Sequence, residues 1–191
     1  MNARRTFALT VLVASLAVAQ SAAPTGATGP QGLPGGTPLN YGSFYDTNTM
    51  TIGSAGTPYP MQLNQTGGAD GVSVVSDGSN PTRMTVTRTG VYNIQFSAVL
   101  DNPLSQATDV NIWLRENGAD LADTNTVVSC IGQHGSIDGH TVAAWNFVLT
   151  MQAGHYYQLM WSADATVINM PTLTGNGVPR TPSLIVTVTQ V

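Results

Sequence analysis

Lysine is absent from the chain, glutamate occurs once, at Glu116, and cysteine once, at Cys130. Charged residues make up only 8% of the 191, against roughly a quarter in ordinary soluble domains. A nucleic-acid binder neutralises phosphates with clustered Lys and Arg. Six arginines scattered at positions 4, 5, 83, 88, 115 and 180, with a net charge of −4, exclude that class. The single cysteine excludes an intrachain disulfide and any multi-cysteine metal centre. Such a thiol is most simply a small buried hydrophobe. An interchain bridge fits poorly, because three cysteines at a threefold axis cannot all pair. The nucleophile-elbow, zinc-protease and phosphate-loop motifs are missing as well. Where charge is this scarce, Thr, Ser, Asn, Gln and Gly must cover the surface, a composition that suits an exported or virion-exposed β-protein.

What is present begins with a period of three. Gly26, Gly29, Gly32 and Gly35 mark three complete Gly-X-Y triplets and the start of a fourth. Only glycine fits the axis of a collagen triple helix, so the period points to three chains meeting. Three triplets cannot hold a trimer alone, so residues 24–40 are expected to be a short stalk and the following domain the trimeriser. A flexible linker is the alternative. Ahead of it, Arg4 and Arg5 precede an apolar run of about 14 residues, with small residues at Ala17-Val18-Ala19. Residues 1–23 therefore read as an export signal, with an uncleaved anchor as the alternative. The run is short for a membrane span of roughly 20 residues. Removing the segment would leave four arginines against ten acids.

From residue 41 to 191 the period is two. Tyr92, Ile94, Phe96, Ala98 and Leu100 alternate with Val91, Asn93, Gln95, Ser97 and Val99, which predicts a half-buried strand. Val110–Arg115 is a second, closed by the Asn117-Gly118 turn signal. Val142–Thr150 is nearly all apolar and is expected at the centre of a sheet. Tyr156–Ser162 is a fourth, and the β-branched Leu184–Val191 a buried final strand. Weaker strands fit Tyr41–Tyr45, Met61–Asn64, Gly71–Val75 and Arg83–Arg88, with turns at Thr66-Gly67-Gly68, Asp77–Pro81, Thr89-Gly90 and Ala153-Gly154. Nine or ten strands without a credible helix predict an all-β jelly-roll sandwich in one domain, 41–191. Tyr92, Ile94, Phe96, Trp113, Phe147, Leu159, Trp161, Ile185 and Val188 are expected in its core or at a trimer interface.

Four stretches carry a family resemblance: Gly90–Ala98, the Val110–Gly118 strand and turn, Ala144–Phe147, and Ala153–Trp161. With the collagen-like run before them, they resemble the C1q-like branch of the C1q/tumour-necrosis-factor superfamily. In flavour they are most similar to heads on phage appendage proteins and bacterial exported proteins. The resemblance implies a ten-stranded jelly roll, a compact homotrimer, and binding or scaffolding in place of catalysis. It leaves Thr124–His140 unaligned.

No constellation of catalytic residues stands out. Cys130, His134 and His140 match no common zinc spacing. Ser129, His134 and Asp138 share one loop, whereas a triad is assembled by fold geometry. With a single glutamate, a paired-carboxylate glycosidase site would rest on acids such as Asp101 and Asp109, at expected strand ends. Asp70, Asp77, Asp120 and Asp123, among Asn, Gly and Thr, are the oxygen donors a calcium ion would use, although no EF-hand spacing is present. Tyr41, Phe44 and Tyr45 follow the stalk and fit the base of a trimer. The expected protein is a non-enzymatic homotrimer without a cofactor or metal, on a virion surface or secreted. Its partners would be itself, a host-surface glycan or protein, or other virion proteins. A secreted bacterial adhesion protein is the alternative, and a glycan hydrolase a more remote one.

One outcome follows from composition alone. With so few charges to screen, binding to target cells or glycans should change little between low and physiological salt, and polyanions should not compete. A steep salt dependence in a two-salt titration would contradict this.

Overall fold

The computed structural model describes residues 38–175 and 177–191. The signal-like segment, the stalk glycines Gly26, Gly29, Gly32 and Gly35, and their period lie outside the described residues. In chain order the strands are β1 (Tyr41–Asp46), β2 (Met50–Thr51), β3 (Tyr59–Pro60), β4 (Gln65–Asp70), β5 (Val72–Asp77), β6 (Asn80–Val86) and β7 (Gly90–Asn102). They continue with β8 (Thr108–Glu116), β9 (Ala119–Asp120), β10 (Thr126–Cys130), β11 (Gly139–Met151), β12 (Tyr156–Ala163), β13 (Asn169–Met170) and β14 (Leu184–Gln190). Every paired strand is antiparallel. In one sheet, β7 lies between β11 and β14; β1 and β4 follow β14, and β13 and β2 extend the far end of β7. The other sheet runs β10-β8-β12-β6-β5, with β3 on β12 and β9 on β8. This is an all-β jelly-roll sandwich, as the alternation predicts.

The alternation of β7 sets the core. Tyr92, Ile94, Ala98 and Leu100 are fully buried and Phe96 almost so. Ile112 and Leu114 on β8, Leu159 and Trp161 on β12, and Val186 and Val188 on β14 meet them from both sheets in one apolar cluster.

Several expectations are corrected. Val142–Thr150 is not central: β11 pairs with β7 alone among the described residues. Its apolar character therefore has another cause, since one face of an edge strand is free of its own sandwich. Thr66-Gly67-Gly68 is not a turn but part of β4, which is exposed throughout and pairs only with β1. A strand exposed on both faces has no apolar period to read. Met61–Asn64 is not a strand, although Met61 and Leu63 are buried in the core. In the unaligned stretch 124–140, β10 forms the edge of the second sheet.

Two hydrogen-bonded nodes hold the ends of strands. Asn40, buried, places Nδ2 within reach of the Gly71 carbonyl, Thr87 Oγ1 and the Tyr92 hydroxyl, at 2.9–3.1 Å. Its Oδ1 accepts from Arg88, and its backbone is joined to Gln190 in both directions. Gly71 makes this possible. Its φ is +69°, and a Cβ there would lie 2.2 Å from Asn40 Oδ1. The second node secures the β8–β9 turn, where Asn117 and Gly118 take φ of 47° and 87°, as a two-residue hairpin turn demands. Beside it, Glu116 Oε1 accepts from the Tyr157 hydroxyl at 2.5 Å and lies 2.8 Å from His155 Nδ1. The Tyr157 bond, followed by that of His155, holds the Glu116 carboxyl below the usual range. Burial first, then Glu116, pushes the Tyr157 hydroxyl up to about 12.

Two outcomes are expected. Phe96→Ala should cost about 3–5 kcal/mol in denaturant unfolding, as for other buried aromatics; an unchanged midpoint would show the side chain is not packed as described. Because the folded Glu116 pKa is depressed, its contribution is present above the ordinary value of 4.5 and is lost as pH falls through the lowered value. The melting temperature of Glu116→Gln should thus fall less steeply than that of the natural protein as pH drops below 4.5. Parallel curves would show that these bonds contribute nothing.

Candidate interaction surfaces

Because successive side chains alternate, the β7 residues between the buried ones face away from the core. Val91, Asn93, Gln95, Ser97 and Val99 share that outer face with Val142, Ala144, Asn146, Val148 and Thr150 of β11 and with Ile185, Thr187 and Thr189 of β14. The register sets Val142 opposite Val99, Asn146 opposite Gln95 and Ile185 opposite Ser97. No charged residue lies among them. Val142 and Val148 are each 62% exposed, and Val91 and Ile185 42%. Ile185, expected in the core or at a trimer interface, lies on this outer face: its neighbours Leu184 and Val186 point inward, so Ile185 points out.

The other face of β11 looks toward the core from the sheet edge. Trp145, Phe147 and Leu149 are opposite Phe96, Ile94 and Tyr92 in register, yet only half-buried. Phe96 and Trp145 meet edge to face with centroids 4.5 Å apart, and Phe147 stacks at 6.1 Å from Phe96. Phe147 and Leu149 border a cavity of about 490 Å³ closed on its far side by Leu114, Leu121 and Thr124. Trp145 Nε1 is buried and finds no acceptor among the described residues. This flank thus shows apolar groups on both faces of one edge strand.

A different surface lies on the second sheet. Trp113 sits between the buried Ile112 and Leu114, so its indole faces outward and is half-buried. Expected in the core or at a trimer interface, it lies outside the core by the same one-residue parity. Asp120 Oδ1 accepts from both Trp113 Nε1 and Arg115 Nε at 2.7 Å. The Arg115 bond, then that of Trp113, holds the Asp120 carboxyl below its ordinary range. Asn125 Nδ2 donates to Asn111 Oδ1 at 2.9 Å. Asn111, Trp113, Asp120 and Asn125, with Ser162, Asp123, Gly56 and Pro58, line an open groove of about 590 Å³. Sequence reasoning missed it because its residues come from β8, β9, β12 and two connecting segments.

Elsewhere the chemistry is dispersed. Ser129 Oγ donates to Asp109, not to His134, whose backbone pairs with Ile137. No group of three metal-ligating side chains is assembled among the described residues. Asp77 pairs with Arg83 and Asp120 with Arg115. Tyr92, Ile94, Phe96, Leu159, Trp161 and Val188 lie buried between the sheets, and Phe147 lies at the margin. Of the aromatics after the stalk, Phe44 is in the core while Tyr41 is exposed. Burial pushes the Cys130 thiol up, making it a poor nucleophile. Burial likewise raises Asp46, which accepts from the Ser183 hydroxyl.

No protein-family model matches the chain, and no curated protein matches it. Among solved structures it is similar to murine APRIL, crystallised at pH 5.0, with a TM-score of 0.50 over 81% of this chain and all of that one. Sequence identity is 10%, so the likeness is of fold alone. The likeness therefore bears on the two-sheet antiparallel sandwich described above and on nothing finer.

Proposed function

We propose that the protein is a non-enzymatic homotrimer, a virion surface or appendage protein of a phage whose jelly-roll head mediates adhesion to the host surface. The observation that carries the trimer is the uncharged outer face of β11, β7 and β14, with Val142, Val148, Val91 and Ile185 exposed. Exposed apolar groups gathered on one face mark an interaction site. An edge strand apolar on both sides marks the same flank. Packing the β11 flank of one subunit on the outer face of the next joins two different patches. Repeated by a rotation of one-third turn, such a contact closes into a ring. The Gly-X-Y period at 26–35 independently favours three chains. The TNF-like fold is consistent with binding and self-association, and the sparse charge with exposure on a particle or outside a cell.

A secreted bacterial adhesion protein of the same build is favoured by one observation, the signal-like order of Arg4, Arg5, the apolar run and Ala17-Val18-Ala19. Mass and N-terminal sequencing of the natural protein separate the two. An intact Met1 supports the virion part, and a start near Gln20 or Pro24 supports secretion.

Light scattering at micromolar concentration should give three times the chain mass even with residues 1–36 removed, a cut that keeps the Asn40 node. Val148→Asp, which changes only an exposed position, should give a single-chain mass with the thermal transition kept. A monomeric mass for the unaltered head would overturn the trimer.

A further inference from the structure

We propose that the groove around Trp113 is a binding site for an uncharged saccharide, with a hexose ring against the indole and its hydroxyls on Asn111, Asn125 and Asp120. A pyranose offers two kinds of surface, a patch of C–H groups and a rim of hydroxyls that both donate and accept. A site for it needs an aromatic surface held still and, around it, polar groups of both kinds. Trp113 supplies the first. Its half-buried indole is fixed by the 2.7 Å bond from Nε1 to Asp120, whose other donor, Arg115, is also at 2.7 Å.

The unused valences supply the second. Both donors to Asp120 use Oδ1, so Oδ2 makes no hydrogen bond among the described residues. The Asn125–Asn111 bond uses one amide N–H of Asn125 and the oxygen of Asn111. It leaves Asn111 Nδ2 as a donor and Asn125 Oδ1 as an acceptor at the same rim. Ser162, opposite Asn111 in register, is only 7% exposed and lines the groove, and its hydroxyl makes no hydrogen bond among the described residues. Its oxygen is not among the fully buried unpaired atoms, so it opens to the groove and has capacity for a ligand. A volume of about 590 Å³ falls within the range of about 300–1,000 Å³ usual for small-ligand sites.

Charge narrows the class. Asp120 and Asp123 border the groove, and Arg115 is committed to Asp120. An anionic sugar, sialylated or sulfated, would meet carboxylates without a free cation. An apolar ligand would cover the two amides, the carboxylate and the Ser162 hydroxyl without giving them partners, which is costly. A neutral oligosaccharide satisfies both conditions.

This rests on the adhesion part of the function proposed above and not on the trimer. The test is calorimetric titration of the full chain with maltose, cellobiose, lactose, chitobiose and mannobiose. Sialyllactose and a heparin tetrasaccharide serve as charged controls. At least one neutral disaccharide should saturate. Asn111→Ala and Asn125→Ala should each weaken it roughly fivefold to tenfold, the worth of about one hydrogen bond. Trp113→Ala should abolish the signal. Since that change could disturb β8, Trp113→Phe, which keeps a smaller aromatic face and loses the N–H, should bind measurably but more weakly. No heat with any neutral sugar, binding of the charged controls alone, or affinities unmoved by Asn111→Ala and Asn125→Ala would each overturn the proposal. Per-head affinity is read independently of assembly, because Val148→Asp lies on the other sheet. Its affinity should equal that of the natural protein, and a loss would place the site between subunits and overturn the single-chain groove. Saccharide binding without attachment to host cells would instead count against the adhesion role alone.

Discussion

All thirteen residues of β7 are paired with β11 along one side, and Tyr92–Ala98 are paired with β14 along the other. The inward residues of β7 are at the same time the middle of the core. Few other strands carry both duties over such a length. β14 lies between β7 and β1, and β13 with β2 is attached at Asp101. A slip of one residue in this strand would turn Tyr92, Ile94 and Phe96 outward together. The register is pinned at its start by the Tyr92 hydroxyl, which donates to the Arg88 carbonyl and receives Asn40 Nδ2. Asn40 also ties residue 40 to Gln190, so the entry of the domain and its last strand meet where β7 begins.

The same alternation gives the domain two outer faces of different character. Outside β7, β11 and β14 the side chains are Val, Ala, Ser, Thr, Asn, Gln and Ile, with no charge between Val91 and Val99. Desolvating such a face costs little, because there are no ions to strip of water. Outside β8 and β12 the surface is amphipathic, with an indole, two amides, an ion pair and a half-hidden hydroxyl in one groove. One face suits association with a copy of the same chain, the other a small polar ligand. Their placement on opposite sheets allows both contacts at once. Three heads on a common stalk would then multiply a weak single contact, by avidity of roughly 10²–10⁴.

The hairpin carrying Asp120 is short, and its position matters to the groove. Glu116, Tyr157 and His155 clamp its root, while Asp120 spans from β9 to Trp113 and Arg115 on β8. Asn117 and Gly118 provide the positive φ values that let β9 fold straight back. The hold on the indole therefore depends on backbone geometry at Asn117 and Gly118, just before the Asp120 that bonds it. This matters because an aromatic surface that is already ordered loses less entropy when a ligand settles on it.

The jelly-roll class, most strands and the core positions of β7 and β14 were legible in the sequence, because an alternation of period two survives wherever one face is buried and the other wet. The Asn-Gly turn was legible because its backbone conformation restricts the residue types. What misled were positions where the signal is about apolarity but not about what covers it. β11 read as central because its residues are apolar on both faces, yet it lies at an edge, where one apolar face awaits something outside the sandwich. Trp113 and Ile185 read as core or interface because large apolar side chains are usually covered, and strand parity turned both out of the core. β4 was silent because a strand exposed throughout has no period. The groove was not legible at all, since Gly56, Trp113, Asp120, Asn125 and Ser162 are far apart in the chain and only the pairing of β8 with β12 and β9 brings them together. Sequence alone determined which side chains alternate; the tertiary structure decided which face met the core and which distant residues became neighbours, because strand pairing is a long-range choice that no local pattern contains.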